Sequence, residues 1–149
     1  MSKASQYFLK SVMYGLIVCA LIQVVPYGRT YTNPPIVREP SWDSPETRAI
    51  ARRACFDCHS NETIWPWYSR IAPVSWLVRY DVDEGRKELN FSDWQNGARE
   101  GERPDKIGRE ISKGKMPPFQ YFPTHPEARL SEAEKRRLID GLNATALRR

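Results

Sequence analysis

The residues best suited to do chemistry are the two cysteines and the histidine of Cys55-Phe56-Asp57-Cys58-His59. Cysteines three positions apart on a helical turn point the same way, so both thiols can form thioethers with the two vinyl groups on one porphyrin edge. The adjacent histidine can then reach the iron from one face. The pattern therefore predicts one covalently attached haem c, held by Cys55 and Cys58, with His59 as the proximal iron ligand.

Two other chemistries use similar residues. Structural zinc needs four ligands, and beyond this motif the chain after residue 28 offers only His125 and carboxylates. A dithiol–disulfide catalyst places its cysteine pair at the start of a helix, where the thiol pKa falls, whereas this pair is predicted where a helix ends. We therefore favour haem over both alternatives.

A second iron ligand is expected in the segment Lys113-Gly114-Lys115-Met116-Pro117-Pro118. Met116 is the one methionine after residue 28, and the neighbouring prolines predict a stiff, extended segment that presents the thioether at a fixed height. Met116 is thus the predicted distal ligand. The alternatives are His125 and a sixth site that is open or weakly ligated.

Aromatic side chains flank the motif and the methionine segment along the sequence. Some of them are expected to pack on the porphyrin and exclude water, although each one would serve equally well in an ordinary core. The candidates are Trp65, Trp67, Tyr68, Trp76, Phe119 and Tyr121. Arg70, Arg79 and Arg86 are candidate partners of the haem propionates, but a solvated role is favoured for all three.

The first 28 residues predict a signal anchor. Lys3 and Lys10 precede an apolar run from Val12 to Val25, and the flanking apolar residues extend that run toward the length of a bilayer span. An uncleaved transmembrane helix is favoured over a cleaved signal, because the best small-x-small site, Val18-Cys19-Ala20, lies in the middle of the run. The two lysines place the amino terminus in the cytoplasm, so the rest of the chain is expected outside it.

Composition and helical spacing predict an all-α fold. Leu, Ile, Val and Phe occupy only 21 of the 121 residues after residue 28, which favours a small helical domain built around a bulky cofactor. Helices are predicted from Pro45 to about Cys58, from Pro73 through Leu89, from Pro104 to Lys113, and from Ser131 onward. No strand is predicted, and the polar, insert-like stretch 95–103 is interpreted as a disordered loop or a docking surface.

The predicted domains are an anchor at 1–28, a proline-rich tether at 29–44 and a haem-binding domain at 45–149. The net charge is only +5, and acidic and basic residues are interspersed after the anchor. That balance does not indicate a nucleic-acid-binding protein.

The order of CxxCH motif, middle helix, Met-Pro loop and last helix resembles the class I cytochrome c fold, in which the first and last helices cross. More closely, the chain resembles the bacterial membrane-anchored haem-binding domain family of single-haem c-type proteins, over roughly residues 26–145. The segments that carry this resemblance are 26–29, 42–48, 55–63, 65–69, 72–77, 83–86, 89–92, 116–118 and 125–131.

The resemblance implies haem on Cys55 and Cys58, His59 as proximal ligand and Met116 as distal ligand. We expect an electron carrier rather than an enzyme, held in the bacterial cytoplasmic membrane by a single helix with its haem domain in the periplasm. Its expected partners are the membrane and a redox protein or membrane redox complex. The alternatives are a haem peroxidase or gas or redox sensor with an open sixth site, and a haem-carrying subunit of a larger membrane complex.

Overall fold

The computed structural model describes residues 2–94 and 104–148, and this part of the chain contains α-helices and no strand. The helices are α1 (Lys3–Ile22), α2 (Pro45–Ala54), α3 (Phe56–His59), α4 (Val74–Glu88), α5 (Pro104–Ser112) and α6 (Glu132–Ala146). Short 3₁₀ turns lie at Trp67–Arg70, Phe119–Tyr121 and Pro126–Ala128. The predicted all-α class is confirmed. The polar stretch predicted as an insert lies outside the described residues.

The chain forms two compact units. The first unit comprises Met1–Tyr31 and Trp65–Tyr80, and the second comprises Thr32–Ile64 and Asp81–Arg149. The first unit contains α1, which is long and apolar enough to cross a membrane and has no buried residue. The second unit contains the CxxCH motif and α2, α3, α5 and α6. The predicted division at residues 28 and 44 stays a prediction.

The helix starts follow the capping residues in the sequence. The Ser44 hydroxyl accepts a hydrogen bond from the Thr47 N–H, and Pro45 occupies the first turn of α2. At α6, Ser131 and Glu134 form a complete capping box, in which each side chain binds the other residue's backbone N–H. These contacts satisfy backbone donors that a helix cannot satisfy itself.

The first predicted helix is interrupted before it reaches the end of the motif. Cys55 has φ −130° and ψ −30°, so α2 ends at Ala54 and a separate four-residue helix, α3, follows. The Cys55 carbonyl then accepts hydrogen bonds from the N–H groups of Cys58 and His59. The sequence contains no glycine or proline at this point, and for that reason the break is not visible in the pattern.

The core of the second unit is built on α6, which packs against both α2 and α5. A Cβ at Gly141 would lie 2.1 Å from the Thr47 hydroxyl, so the glycine permits the close approach of the first and last helices of this unit. Four aromatic rings in mutual contact fill much of the interior. They are Trp42, Phe56, Phe91 and Trp94.

Residues 32–44, which lie within the predicted tether, contain no helix, and much of this segment is bonded to the rest of the second unit. The N–H groups of Val37 and Arg38 both donate to the Ser92 carbonyl, and the Trp94 N–H donates to the Arg38 carbonyl. The Asp43 N–H donates to Thr145 on α6. The segment therefore lies along the second unit as an ordered strip.

Candidate functional site

The two cysteines of the motif are both free; Cys55 lies at the break between α2 and α3, and Cys58 lies within α3. Burial raises the pKa of Cys55 and of Cys58 to about 12, and the carboxylates of Asp81 and Asp57 add to the increase at Cys58. Both residues are therefore protonated thiols at neutral pH. A dithiol catalyst instead needs a thiolate with a lowered pKa, so these surroundings disfavour the disulfide alternative.

The His59 ring is fixed by the carboxyl end of α4. Its Nδ1 lies 2.8 Å from the Gly85 carbonyl oxygen and 3.1 Å from the Leu89 carbonyl oxygen. Carbonyl oxygens only accept hydrogen bonds, so Nδ1 carries the proton and Nε2 keeps its lone pair. Burial lowers the pKa of His59, although the two carbonyls oppose this shift. The ring is therefore neutral, with the nitrogen that binds metals left available.

Helix α4 comes this close to the motif because residue 85 is glycine. A Cβ at Gly85 would lie 2.5 Å from the Cys58 carbonyl oxygen and 3.0 Å from the Cys58 Cβ. Backbone atoms of the motif cannot move aside without moving the motif itself. Gly85 lies within the helix predicted from Pro73 through Leu89, but the sequence pattern assigned it no role at the site. A glycine on the packed face of a helix is the signal that could have indicated it.

The backbone after His59 is fixed as well. The Phe91 N–H donates to the His59 carbonyl at 2.8 Å, and the Asn61 N–H donates to the Ser92 hydroxyl at 2.9 Å. The Asn90 amide donates in turn to the Asn61 side chain at 3.0 Å. These polar side chains are buried and satisfy one another, which makes the loop one rigid network.

Arg86, a candidate propionate partner, contacts this same loop. Its Nε donates to the Ser60 carbonyl at 2.8 Å. One terminal nitrogen donates to the Thr63 hydroxyl and to the Asn33 side chain, both at 2.9 Å. Arg86 thus joins α4 to the loop that follows the motif. These hydrogen bonds are those of a structural residue.

Met116, the predicted distal ligand, lies on a loop after α5. Its side chain is 38% exposed, and its N–H and that of Lys115 both donate to the Glu110 carbonyl. The Lys115 ammonium lies 3.5 Å from the Glu110 carboxylate, and Lys113 is exposed. Phe119, predicted to pack on haem, is 82% exposed. Iron ligation by Met116 and haem packing by Phe119 stay predictions.

Tyr121 joins the loop that carries Met116 to the CxxCH motif. Its hydroxyl donates to Asp57 at 2.6 Å, and the other Asp57 oxygen accepts from the Ile64 N–H at 3.0 Å. Burial and this hydrogen bond raise the pKa of Tyr121 far above its usual value. The ring of His125, the alternative distal ligand, stacks on Tyr121 with centroids 3.9 Å apart. No local pattern predicts a contact between residues 57 and 121.

Four of the aromatic candidates belong to the first unit: Trp65, Trp67, Tyr68 and Trp76. The Trp76 indole nitrogen is buried and has no hydrogen-bond partner within the described residues. In the same unit, Arg79 donates to the Thr30 carbonyl, and the Arg70 guanidinium lies over the Tyr31 ring. Haem packing by these aromatic residues stays a prediction.

The donor set fits haem better than zinc. No group of three His, Cys, Asp or Glu side chains arranged to hold a metal ion occurs in residues 2–94 and 104–148. The zinc alternative therefore has no ligand set in that part of the chain. Haem requires less, because the porphyrin supplies four nitrogen ligands and the protein need supply only an imidazole on one face. The neutral His59 ring meets that requirement.

Comparison with known proteins supports the same cofactor. A family model described as a haem-binding domain matches residues 17–144, which is most of the chain. No curated protein and no solved structure matches. The match covers α1 from residue 17, the motif, the Met116 loop and most of α6. The chain is therefore a haem protein that belongs to the haem-binding domain family.

Proposed function

We propose that this protein is a membrane-anchored c-type cytochrome that carries single electrons between redox partners on the extracytoplasmic side. The observation that carries the proposal is the state of His59, whose Nδ1–H is bound to α4 so that Nε2 is left for iron. Two free thiols lie within four residues of this ring. In this proposal Cys55 and Cys58 hold one haem through thioethers.

When bound, haem would supply an iron that gains and loses one electron. His59 would bind the iron through Nε2, and the α4 carbonyls keep its ring in one tautomer and orientation. Met116 would supply a second ligand from the loop after α5. Moving a single electron needs no general acid or base. Single-electron transfer requires that the ligands change position little between the two oxidation states. The hydrogen-bonded loop around His59 meets this requirement for one of the two proposed ligands.

Helix α1 supports the membrane part of the proposal. It spans 20 residues, is apolar enough to cross a bilayer and carries Lys3 and Lys10 in its first half. Basic residues favour the cytoplasmic side, which directs the motif to the periplasm. We expect the protein to stay with membranes after an alkaline wash. The motif-bearing part should be cleaved by protease added to spheroplasts.

The deciding experiment is the intact mass of the denatured full-length protein, together with its pyridine haemochrome spectrum. We expect the mass of one haem and the spectrum of a porphyrin with two thioethers. The Cys55→Ser/Cys58→Ser double variant should lose both, whereas Cys19→Ser, at the third cysteine of the chain, should retain both. Absence of haem from protein made in cells competent for cytochrome maturation would overturn the proposal.

The exposure of Met116 favours one second candidate, a peroxide or gas-binding protein with an open sixth site. Carbon monoxide separates the two candidates, because a thioether bound to ferrous iron must leave before the gas can bind. Slow or undetectable binding by the reduced protein supports the electron carrier. Rapid binding, complete within the mixing time, supports the sensor or peroxidase.

A further inference from the structure

All of the formal net charge of the chain lies in the first unit. Of the 23 Lys and Arg residues, five fall in Met1–Tyr31 and Trp65–Tyr80, which contain no Asp or Glu. They are Lys3, Lys10, Arg29, Arg70 and Arg79. The second unit therefore holds the remaining 18 basic residues against all 18 acidic residues, and is formally neutral. Lys3 and Lys10 lie in the first half of α1, so the charges beyond that helix are Arg29, Arg70 and Arg79. Three cations with no acidic residue in the same unit favour an anionic partner.

The same unit exposes large apolar side chains outside α1. Trp67 is 75% exposed, and Ile71, Val74 and Leu77 are each more than 40% exposed. Val74 and Leu77 are three residues apart on α4 and so are neighbours on its surface. We call these four residues, with the exposed Arg29 and Arg70, the apolar-basic face. Apolar and aromatic residues interspersed with cations are typical of a surface that enters a lipid headgroup region.

Direct contacts hold this face at the end of α1. The Gln23 side chain, at the C-cap of α1, donates to the Ala72 carbonyl at 2.9 Å and accepts from the Ala72 N–H at 3.0 Å. The Arg70 guanidinium lies 5.3 Å from the centre of the Tyr31 ring. The segment 65–80 is thus bonded to the residues that follow α1. If α1 crosses a bilayer, this segment lies where the chain leaves it.

We propose that the apolar-basic face docks on the surface of the bilayer that α1 crosses, with its arginines on anionic lipid headgroups. The proposal rests on the proposed function, specifically on membrane insertion of α1. The proposed partner is a lipid surface, because the face is bonded to the end of α1, the one helix in the described residues that is apolar enough to span a membrane. Each arginine near an anionic surface strengthens such docking about fivefold.

The test uses full-length holoprotein in lipid nanodiscs that contain phosphatidylglycerol. Thiols are introduced singly by Ile71→Cys, Leu77→Cys and the control Leu147→Cys, each in a Cys19→Ser background. Leu147 is 80% exposed and belongs to the second unit. We expect the thiols at positions 71 and 77 to react with a membrane-impermeant maleimide about tenfold more slowly than the thiol at 147. The rate of maleimide addition to each thiol is followed by the intact mass of the protein.

Changing the charge of the lipid or of the protein tests whether lipid causes the slow reaction at positions 71 and 77. Protection at positions 71 and 77 should weaken in discs of phosphatidylcholine alone. Arg29→Gln should weaken it about fivefold, and Arg136→Gln, in the second unit, should not. An equally slow maleimide reaction in both lipids would show that haem or protein, and not lipid, covers the face. A rapid reaction in the anionic discs would show that the face is open to water. Either result overturns the proposal.

The same holoprotein, reconstituted in vesicles of the same lipids, separates these failures from failure of the proposed function. Loss of the protein from vesicles in an alkaline wash would show that α1 is not an anchor. Absence of haem mass would show that the cytochrome proposal is wrong. Docking fails by itself when the protein stays in the vesicle, carries haem and shows no lipid-dependent protection at positions 71 and 77.

Discussion

Two regions of the second unit differ in how firmly the fold holds them. In the CxxCH motif, residues 55–59, the His59 ring is bonded through Nδ1 to two carbonyls and the His59 carbonyl is bonded to the Phe91 N–H. In the Met116 segment, residues 113–119, Met116 is 38% exposed and its N–H is bonded to the Glu110 carbonyl. One predicted ligand is thus held by its ring and its backbone. The other is held near the surface, on a loop.

This difference shows which predicted ligand is held in place before haem binds and which one can still move. A ligand held in one tautomer before the cofactor binds loses little entropy on binding iron. A ligand on an exposed loop can leave the iron without disturbing the packed core. In the proposed function, the motif holds the haem. The Met116 segment would then determine whether the iron is closed to other molecules, which is the distinction between the two candidate functions.

Gly85→Ala should have the largest effect, because it acts on the firmly held region. The new methyl group would collide with the Cys58 carbonyl, separate α4 from the motif and weaken both His59 hydrogen bonds. We expect the free energy of unfolding to fall by about 2–3 kcal/mol, the upper part of the range for overpacked sites. Denaturant unfolding of the holoprotein measures the loss. The visible spectrum reports any change at the iron.

Gly108→Ala is the matched control for that change. Both glycines lie inside α-helices, but a Cβ at Gly108 would meet only a methyl group of Ile139, at 3.1 Å. The side chain can shift, and alanine favours the helix by up to about 1 kcal/mol, so the net effect should be small. Equal stability of the two variants would show that α4 does not need to approach the motif so closely.

Met116→Ala tests the loosely held region. If the thioether binds iron, its loss should lower the reduction potential on the order of 0.1 V, a modest part of the range that axial ligands span. The reduced variant should also bind carbon monoxide rapidly. His125→Gln should leave both properties unchanged. The opposite result, with His125 sensitive and Met116 insensitive, would transfer the role of distal ligand to His125.

The helix starts were more predictable than the site. Ser44, Pro45 and the Ser131–Glu134 capping box act on backbone groups within a few residues, so their effect can be read from the local sequence. The CxxCH motif is equally local. Contacts made by residues distant in sequence left no such signal, and Gly85 is the example, since only the fold brings it against Cys58.

The hydroxyl of Tyr121 connects the two regions, and Tyr121→Phe tests that connection. A hydrogen bond to a carboxylate contributes about 1.5–3 kcal/mol when well shielded, and Asp57 is partly exposed, so we expect a loss of about 1–2 kcal/mol. Carbon monoxide binding should also become faster as the loop loosens. Tyr80→Phe, at an exposed tyrosine, is the control and should change stability by less than about 0.5 kcal/mol.

The smallest effect is expected from the lysines beside Met116. Lys113 and Lys115 are exposed, and the contact of Lys115 with Glu110 at 3.5 Å is too exposed to cancel their combined charge. If electrons enter near this segment, Lys113→Gln/Lys115→Gln should slow reduction by anionic ferrocyanide about threefold at low ionic strength. Salt should remove the difference, because it screens exposed charges. Lys135→Gln/Arg136→Gln changes the net charge equally on α6, so an equal slowing there would attribute the effect to total charge and not to the Met116 segment.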